Sequence, residues 1–253
     1  MTRLTMLIAG TGIAVMCAQG FSKQTPNHLG EFRKMKRNQS GFTLIEIAIV
    51  LVIIGLLLGG VLKGQELINS AKVKNLAADF KNVPLYIYGY QDRFRALPGD
   101  DANSLIHVSG VPAATPVAAN VGNGLIEGNW DSLTATDESV VFWQQVRLAG
   151  FAAGPTTISV TSQSDPFLPQ NAVGGRIGVE SGSANPPIAG LRGSYIVCSA
   201  HILGRFARQL DTTMDDGVGN TGSVMSVLDN AARNSAGVAQ PADDTLYTVC
   251  MGV

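Results

Sequence analysis

The sequence predicts an α+β protein: a long N-terminal helix, membrane-spanning in its first half, packed on a small antiparallel sheet head with long loops. Three observations predict it. An apolar run from Phe42 to Leu62 carries no charge except Glu46. An apolar seam follows at alternating spacings of three and four, through Val73, Leu76, Phe80, Val83, Ile87, Tyr90 and Phe94, the period of one helix face. The stretch from there to Val253 holds only short strand-type runs among Gly-, Ala-, Ser-, Asn- and Pro-rich connections, the pattern of a small sheet with long links.

About twenty apolar residues suffice to cross a hydrocarbon core roughly 30 Å thick, and residues 42–62 meet that length. A buried core helix is the alternative, but such helices are usually shorter. Arg33, Lys34, Lys36 and Arg37 precede the run and Lys63 ends it. The positive-inside bias puts the N-terminus in the cytoplasm and the chain after Lys63 outside it. Residues 63–95 continue the helix, with Lys72, Lys74, Asp79, Lys81 and Gln91 off the seam. Together the two parts make about fifty residues, or roughly 80 Å at 1.5 Å per residue. Pro84 is expected to kink the second half and Gly89 to weaken it. Leu97-Pro98-Gly99-Asp100-Asp101 ends the helix with a breaker and turn residues.

Residues 96–253 are one globular head by length. Ser139–Ala149 reads as a short amphipathic helix. Arg176–Val179, Ser194–Cys198 and Leu246–Cys250 read as strands. Ile202, Leu203, Phe206, Leu210 and Met214 form a helical stripe, which His201 would open as a surface or capping residue. The chain is near neutral, with a formal charge of −1, but no lysine follows Lys81 and acids outnumber arginines about two to one after Arg95. A nucleic-acid-binding head needs a basic stripe, so no nucleic-acid partner is expected. No G-x-S-x-G, H-E-x-x-H, phosphate-loop or C-x-x-C pattern is present. His201 has Ser199 nearby and Asp211 ten residues on, but such triads are recognised by geometry. No catalytic residue is expected.

Glu46 is the anomaly of the apolar run. A carboxylate within a membrane helix costs roughly 2.5–3.5 kcal/mol on insertion scales and is tolerated when paired and hydrogen-bonded. Glu46 has no basic partner on its own helix, and the absence of any partner in its own chain points to a neighbouring one. From Asp211 to Gly222 the chain offers oxygen ligands in a flexible loop, the type Ca²⁺ prefers, with Asp215, Asp216 and Asn220 as the candidates. The spacing is not that of an EF-hand. A Gly-rich turn with solvated acids is the favoured reading, and Asp100, Asp101 and Asn103 read the same way. No cofactor is expected, calcium being the one alternative.

Gly41-Phe42-Thr43-Leu44-Ile45-Glu46, with the basic stretch before it and the apolar run after it, closely resembles the N-terminal signal of type IV prepilins and type II secretion pseudopilins. The resemblance implies cleavage by a prepilin peptidase between Gly41 and Phe42, and N-methylation of Phe42. It implies that Glu46 pairs with the N-terminal ammonium of a neighbouring subunit. Residues 1–41 are then the leader. Met35 opens MKRNQSG, a leader of the family's ordinary length, so residues 1–34 read as an extension from a misplaced start codon. Their own apolar stretch resembles a secretion signal, but Met16-Cys17-Ala18 makes a poor cleavage site. Many type IV pilins carry Pro where this chain has Lys63, a departure that favours a minor or pseudopilin-like subunit. YQDRFRALPGDD, GNGLIEGNW, FWQQVRLAGF and DDGVGNTGS resemble phrases of a subgroup of bacterial pilin-like proteins.

After cleavage, Cys198 and Cys250 remain in an oxidising compartment. A bridge between them would tie the last strand to the middle of the head, as in many pilins; two free buried thiols are the alternative. The implied partners are the prepilin peptidase, other pilins or pseudopilins, and a platform protein of the bacterial inner membrane with its assembly ATPase. The competing function is a membrane-anchored periplasmic enzyme or ligand-binding module that uses the segment only as an anchor. A plain anchor needs neither Glu46 nor Phe42.

Overall fold

The structure is a computed structural model that describes residues 41–108 and 121–253. The readings of residues 1–34 and 35–40 lie outside the described residues. The described residues fall into two units that divide between Val50 and Leu51. Helix α1 is Leu44–Phe94, followed by α2 (Ser104–His107), α3 (Glu138–Leu148), β1 (Ile177–Ser181), β2 (Tyr195–Leu203), α4 (Gly204–Met214), β3 (Val224–Leu228) and β4 (Leu246–Gly252). The four strands form one antiparallel sheet in the order β1-β2-β4-β3. The α+β layout expected from the sequence is the one observed.

In α1, Val73, Leu76, Ala77, Phe80, Val83, Ile87 and Tyr90 are buried, which is the predicted seam with Ala77 added and Phe94 left half-buried. The helix runs continuously through Pro84. Gly89 has a packing reason: a Cβ there would stand 2.9 Å from the Phe151 ring. The helix stops at Phe94, where Arg95 turns into the left-handed region at φ 56°, three residues before Pro98.

The sheet buries both faces because its strands alternate inward residues on each side. On one face Ile177, Val179, Val197, Val224 and Val249 join the α1 seam and the α3 residues Val140, Phe142 and Val146 in the main core. On the other, Ile196, Cys198, Met225, Val227 and Cys250 pack with Ile188 and Leu191. Strand β3 has no counterpart in the predicted strands. Ile202 and Leu203, predicted as the start of a helical stripe, belong to β2, and α4 begins only at Gly204. The register of β2 against β4 shifts between Ser199 and Ile202, and His201 stands in that irregularity at φ 60°. His201 is therefore a bulge residue of a strand and not the opening of a helix.

The acids after α1 are not solvated turn residues. Asp100 and Asp101 are 3% and 2% exposed. Asp100 accepts the backbone N–H of Gly122, of Asn123 at 3.3 Å and of Gly124 at 2.6 Å. Gly122 and Gly124 hold φ of 85° and 83°, which a side-chain-bearing residue adopts at a cost. Asp101 accepts from Tyr90 Oη at 2.7 Å and from the Asn103 N–H at 2.8 Å, and meets His107 Nδ1 at 2.7 Å. A buried carboxylate requires such donors, and here they lock the chain after α1 to the helix.

Candidate functional site

Thr43 precedes the first helical residue of α1 and Glu46 occupies the third. The Glu46 backbone N–H donates to Thr43 Oγ1 at 3.3 Å, and Glu46 Oε2 accepts from the Thr43 N–H at 2.8 Å and from Thr43 Oγ1 at 2.8 Å. This reciprocal pair is a capping box, satisfying donors that a helix start leaves without intrahelical partners. Thr43-x-x-Glu46 before an apolar run is the sequence signature of such a box. The expectation that Glu46 lacks a partner in its own chain is corrected accordingly. Oε2 makes all of these contacts, so Oε1 remains available to a second donor, and no basic group pairs with Glu46 among the described residues.

Phe42 and Leu44 are 82% and 93% exposed. Helix α1 is the one helix among the described residues long and apolar enough to cross a membrane, and its most apolar stretch is wholly unburied. That much uncovered apolar surface requires a lipid or protein surround. The segment thus combines an apolar helix, an acid at its third position and a Gly41-Phe42 junction just ahead of it.

Cys198 and Cys250 form a disulfide, 52 residues apart in sequence. They stand directly opposite each other on β2 and β4, with both side chains fully buried.

The loop after α4 brings Asp211, Asp215 and Asp216 together, with one ligand atom of each lying within 4.8 Å of the others. Asp215 and Asp216 are spoken for: Asp215 Oδ2 accepts the N–H of Ser223 at 2.5 Å and of Val224 at 2.9 Å. Asp216 accepts the Val218 N–H at 2.8 Å and Thr221 Oγ1 at 2.6 Å. Asp211 is 1% exposed, so the reading of three solvated acids fails for it. Its Oδ1 accepts the Gly217 N–H at 2.9 Å, while Oδ2 is buried without a partner. Burial pushes its carboxyl up to about 6, and the neighbouring Asp216 and Asp215 charges push the same way. A hard cation with oxygen ligands would relieve that arrangement. Asn220, the third candidate from the sequence, is exposed.

His201 is paired with neither Ser199 nor Asp211. Its Nδ1 lies 2.8 Å from Asp229 Oδ2, and Asp229 Oδ1 accepts from Thr248 Oγ1 at 2.7 Å. Sequence spacing could not reveal this pair, because the two residues lie 28 positions apart and meet only through sheet pairing.

The prokaryotic N-terminal methylation motif matches residues 36–62. No curated protein and no solved structure matches the chain. The motif covers Gly41, Phe42 and the Thr43–Glu46 box together with the apolar run, so this chain carries the prepilin-type signal of type IV pilins and pseudopilins.

Proposed function

We propose that the chain is a structural subunit, a minor pilin or pseudopilin, of a type IV pilus or type II secretion pseudopilus. The observation that carries the reading is the methylation motif at residues 36–62, whose residues 44–62 lie on an apolar helix with an acid in its first turn. A prepilin peptidase cuts between Gly41 and Phe42, and the new amino group of Phe42 is methylated. The helix is then drawn from the inner membrane into a filament, where apolar segments of other subunits replace lipid. The platform protein and its assembly ATPase drive that step. Glu46 Oε1 takes the N-terminal ammonium of a neighbour while Oε2 keeps the cap. The Lys63 position, without the Pro of many pilins, supports a minor or pseudopilin-like role. The head is neither a catalyst nor a nucleic-acid binder in this reading, and residues 42–62, 63–95 and 96–253 serve as filament core, connecting helix and periplasmic head.

Exchange of residues 42–62 for a generic leucine-rich span tests it. A filament subunit so altered stays in the membrane and disappears from the filament fraction. A head still fully functional in the cell on the substituted span would instead identify the segment as a plain anchor.

A further inference from the structure

At the end of the sheet where the β2 bulge lies, on the face that carries the disulfide, a cleft of about 440 Å³ opens between Trp130, Arg176, Pro187, His201, Val227 and Arg233. That volume falls in the range of small-molecule sites. Its two arginines differ in kind. Arg233 is spent: it grips Glu180 with both ends of its fork, at 2.9 and 2.6 Å, and donates to the Asn185 carbonyl at 2.7 Å. Arg176 is 3% exposed, and only its Nη1 has a partner, Gln163 Oε1 at 2.9 Å. Nε and Nη2 are buried with no hydrogen-bond partner.

Those two nitrogens form the side edge of the guanidinium, one of the two edges that bind a carboxylate through paired N–H donors. Gln163 is itself fixed, its Nε2 donating to the Asp131 carbonyl at 2.8 Å, so the free edge is held in one orientation. Leaving such donors unpaired in a buried place is costly, and burial has already lowered the guanidinium to about 10. Asp131 is the acid whose charge reaches both arginines. It is exposed and forms no ion pair among the described residues. Part of the lining is an apolar wall of Trp130, Pro187, Ala200, Val227 and Leu228, and the remainder is mostly polar, with Asp229 as a second acid beside Asp131. His201 at φ 60° is held there by Asp229, and a strained non-glycine residue at a cleft wall is a common mark of a functional site.

We propose that this cleft binds a small organic carboxylate with an apolar body, the carboxylate on the Nε–Nη2 edge of Arg176 and the body against Trp130. The site belongs to the head alone and stands independently of the filament reading.

Phenylacetate is the probe and uncharged phenylacetamide its control, titrated against the full chain in lipid nanodiscs. Trp130 fluorescence is the readout, since the other tryptophan, Trp143, is buried in the main core. Phenylacetate is expected to give saturable quenching, with phenylacetamide at least about tenfold weaker (about 1.4 kcal/mol). Arg176→Met and Arg176→Lys, the latter keeping the charge without the fork, each lose the preference for the acid. Asp131→Asn, a change at an exposed residue, tightens phenylacetate a few-fold by removing a like charge. Melting curves confirm that each variant is folded; should Arg176→Met not fold, the Lys and Asn variants decide. Equal binding of acid and amide, quenching unchanged in Arg176→Lys, no saturable signal, or weaker acid binding in Asp131→Asn would each overturn the proposal.

Discussion

Glu46→Ala is expected to eliminate the chain from filaments while leaving membrane insertion and cleavage intact. Two effects are removed at once, because Glu46 both closes the capping box with Thr43 and brings a negative charge into the apolar run. Their sizes differ. A lost helix cap frays one turn, whereas a charge deprived of its partner in an apolar surround is the far more costly change. Glutamine separates them, since it can close a capping box but carries no charge. Glu46→Gln is therefore expected to be as defective as Glu46→Ala. Thr43→Val, which opens the box and keeps the charge, is expected to assemble with a modest loss. Filament yield against membrane-bound chain reads all three. Wild-type assembly of Glu46→Gln would reduce Glu46 to a cap and dispose of the intersubunit charge.

Loss of the Cys198–Cys250 bond is expected to be the largest single change in the stability of the head. The bond joins the two central strands of the sheet, β2 and β4. In the chain-entropy model, closing a loop of this length contributes about 4 kcal/mol, which corresponds to roughly 10 °C in Tm for a domain of this size. Cys198→Ala/Cys250→Ala and the reduced wild-type chain should melt close together and well below the oxidised form. A melting temperature unchanged by reduction would show that the sheet does not depend on the bond. The pair also bears on the cleft, which lies over the same face of the sheet as the disulfide.

The parts of the fold that could be read ahead were those set by local period. The α1 seam, α3 and β4 follow from residues three, four or two apart, and each was found within a few positions of its predicted limits. Strand β3 escaped because Val224–Leu228 is only five residues long and directly follows a Gly-rich loop, so its bounds carry little periodic signal. Ile202 and Leu203 were misplaced for a related reason. Their spacing to Phe206 and Leu210 fits a helix, yet pairing with Tyr247 and Leu246 on β4 holds them in a strand. Non-local donors decided the rest. Asp100 and Asp101 look like turn residues beside Pro98 and Gly99, and their burial depends on Tyr90 and on backbone N–H groups more than twenty residues away.

The sites divide along the same line. The signal through Gly41, Phe42 and Glu46 is legible because it is a contiguous string with fixed spacing, and the methylation motif at residues 36–62 spans it. The cysteine pair was legible because only two cysteines follow Phe42. The capping box was equally local, in Thr43-x-x-Glu46, but the charge of Glu46 drew the sequence reading toward a distant partner. His201 with Asp229, and Arg176 with Gln163, come together only when the strands pair and the long connections fold back. No spacing rule joins residues 28 and 13 positions apart in those two pairs.

The most direct measurement is the mass of the N-terminal peptide of this chain in filaments sheared from cells. The expected chain begins at Phe42 and carries one methyl group on its amino nitrogen. A chain still extending upstream of Gly41, or a mature chain that remains wholly in the membrane and never enters the filament fraction, would contradict it.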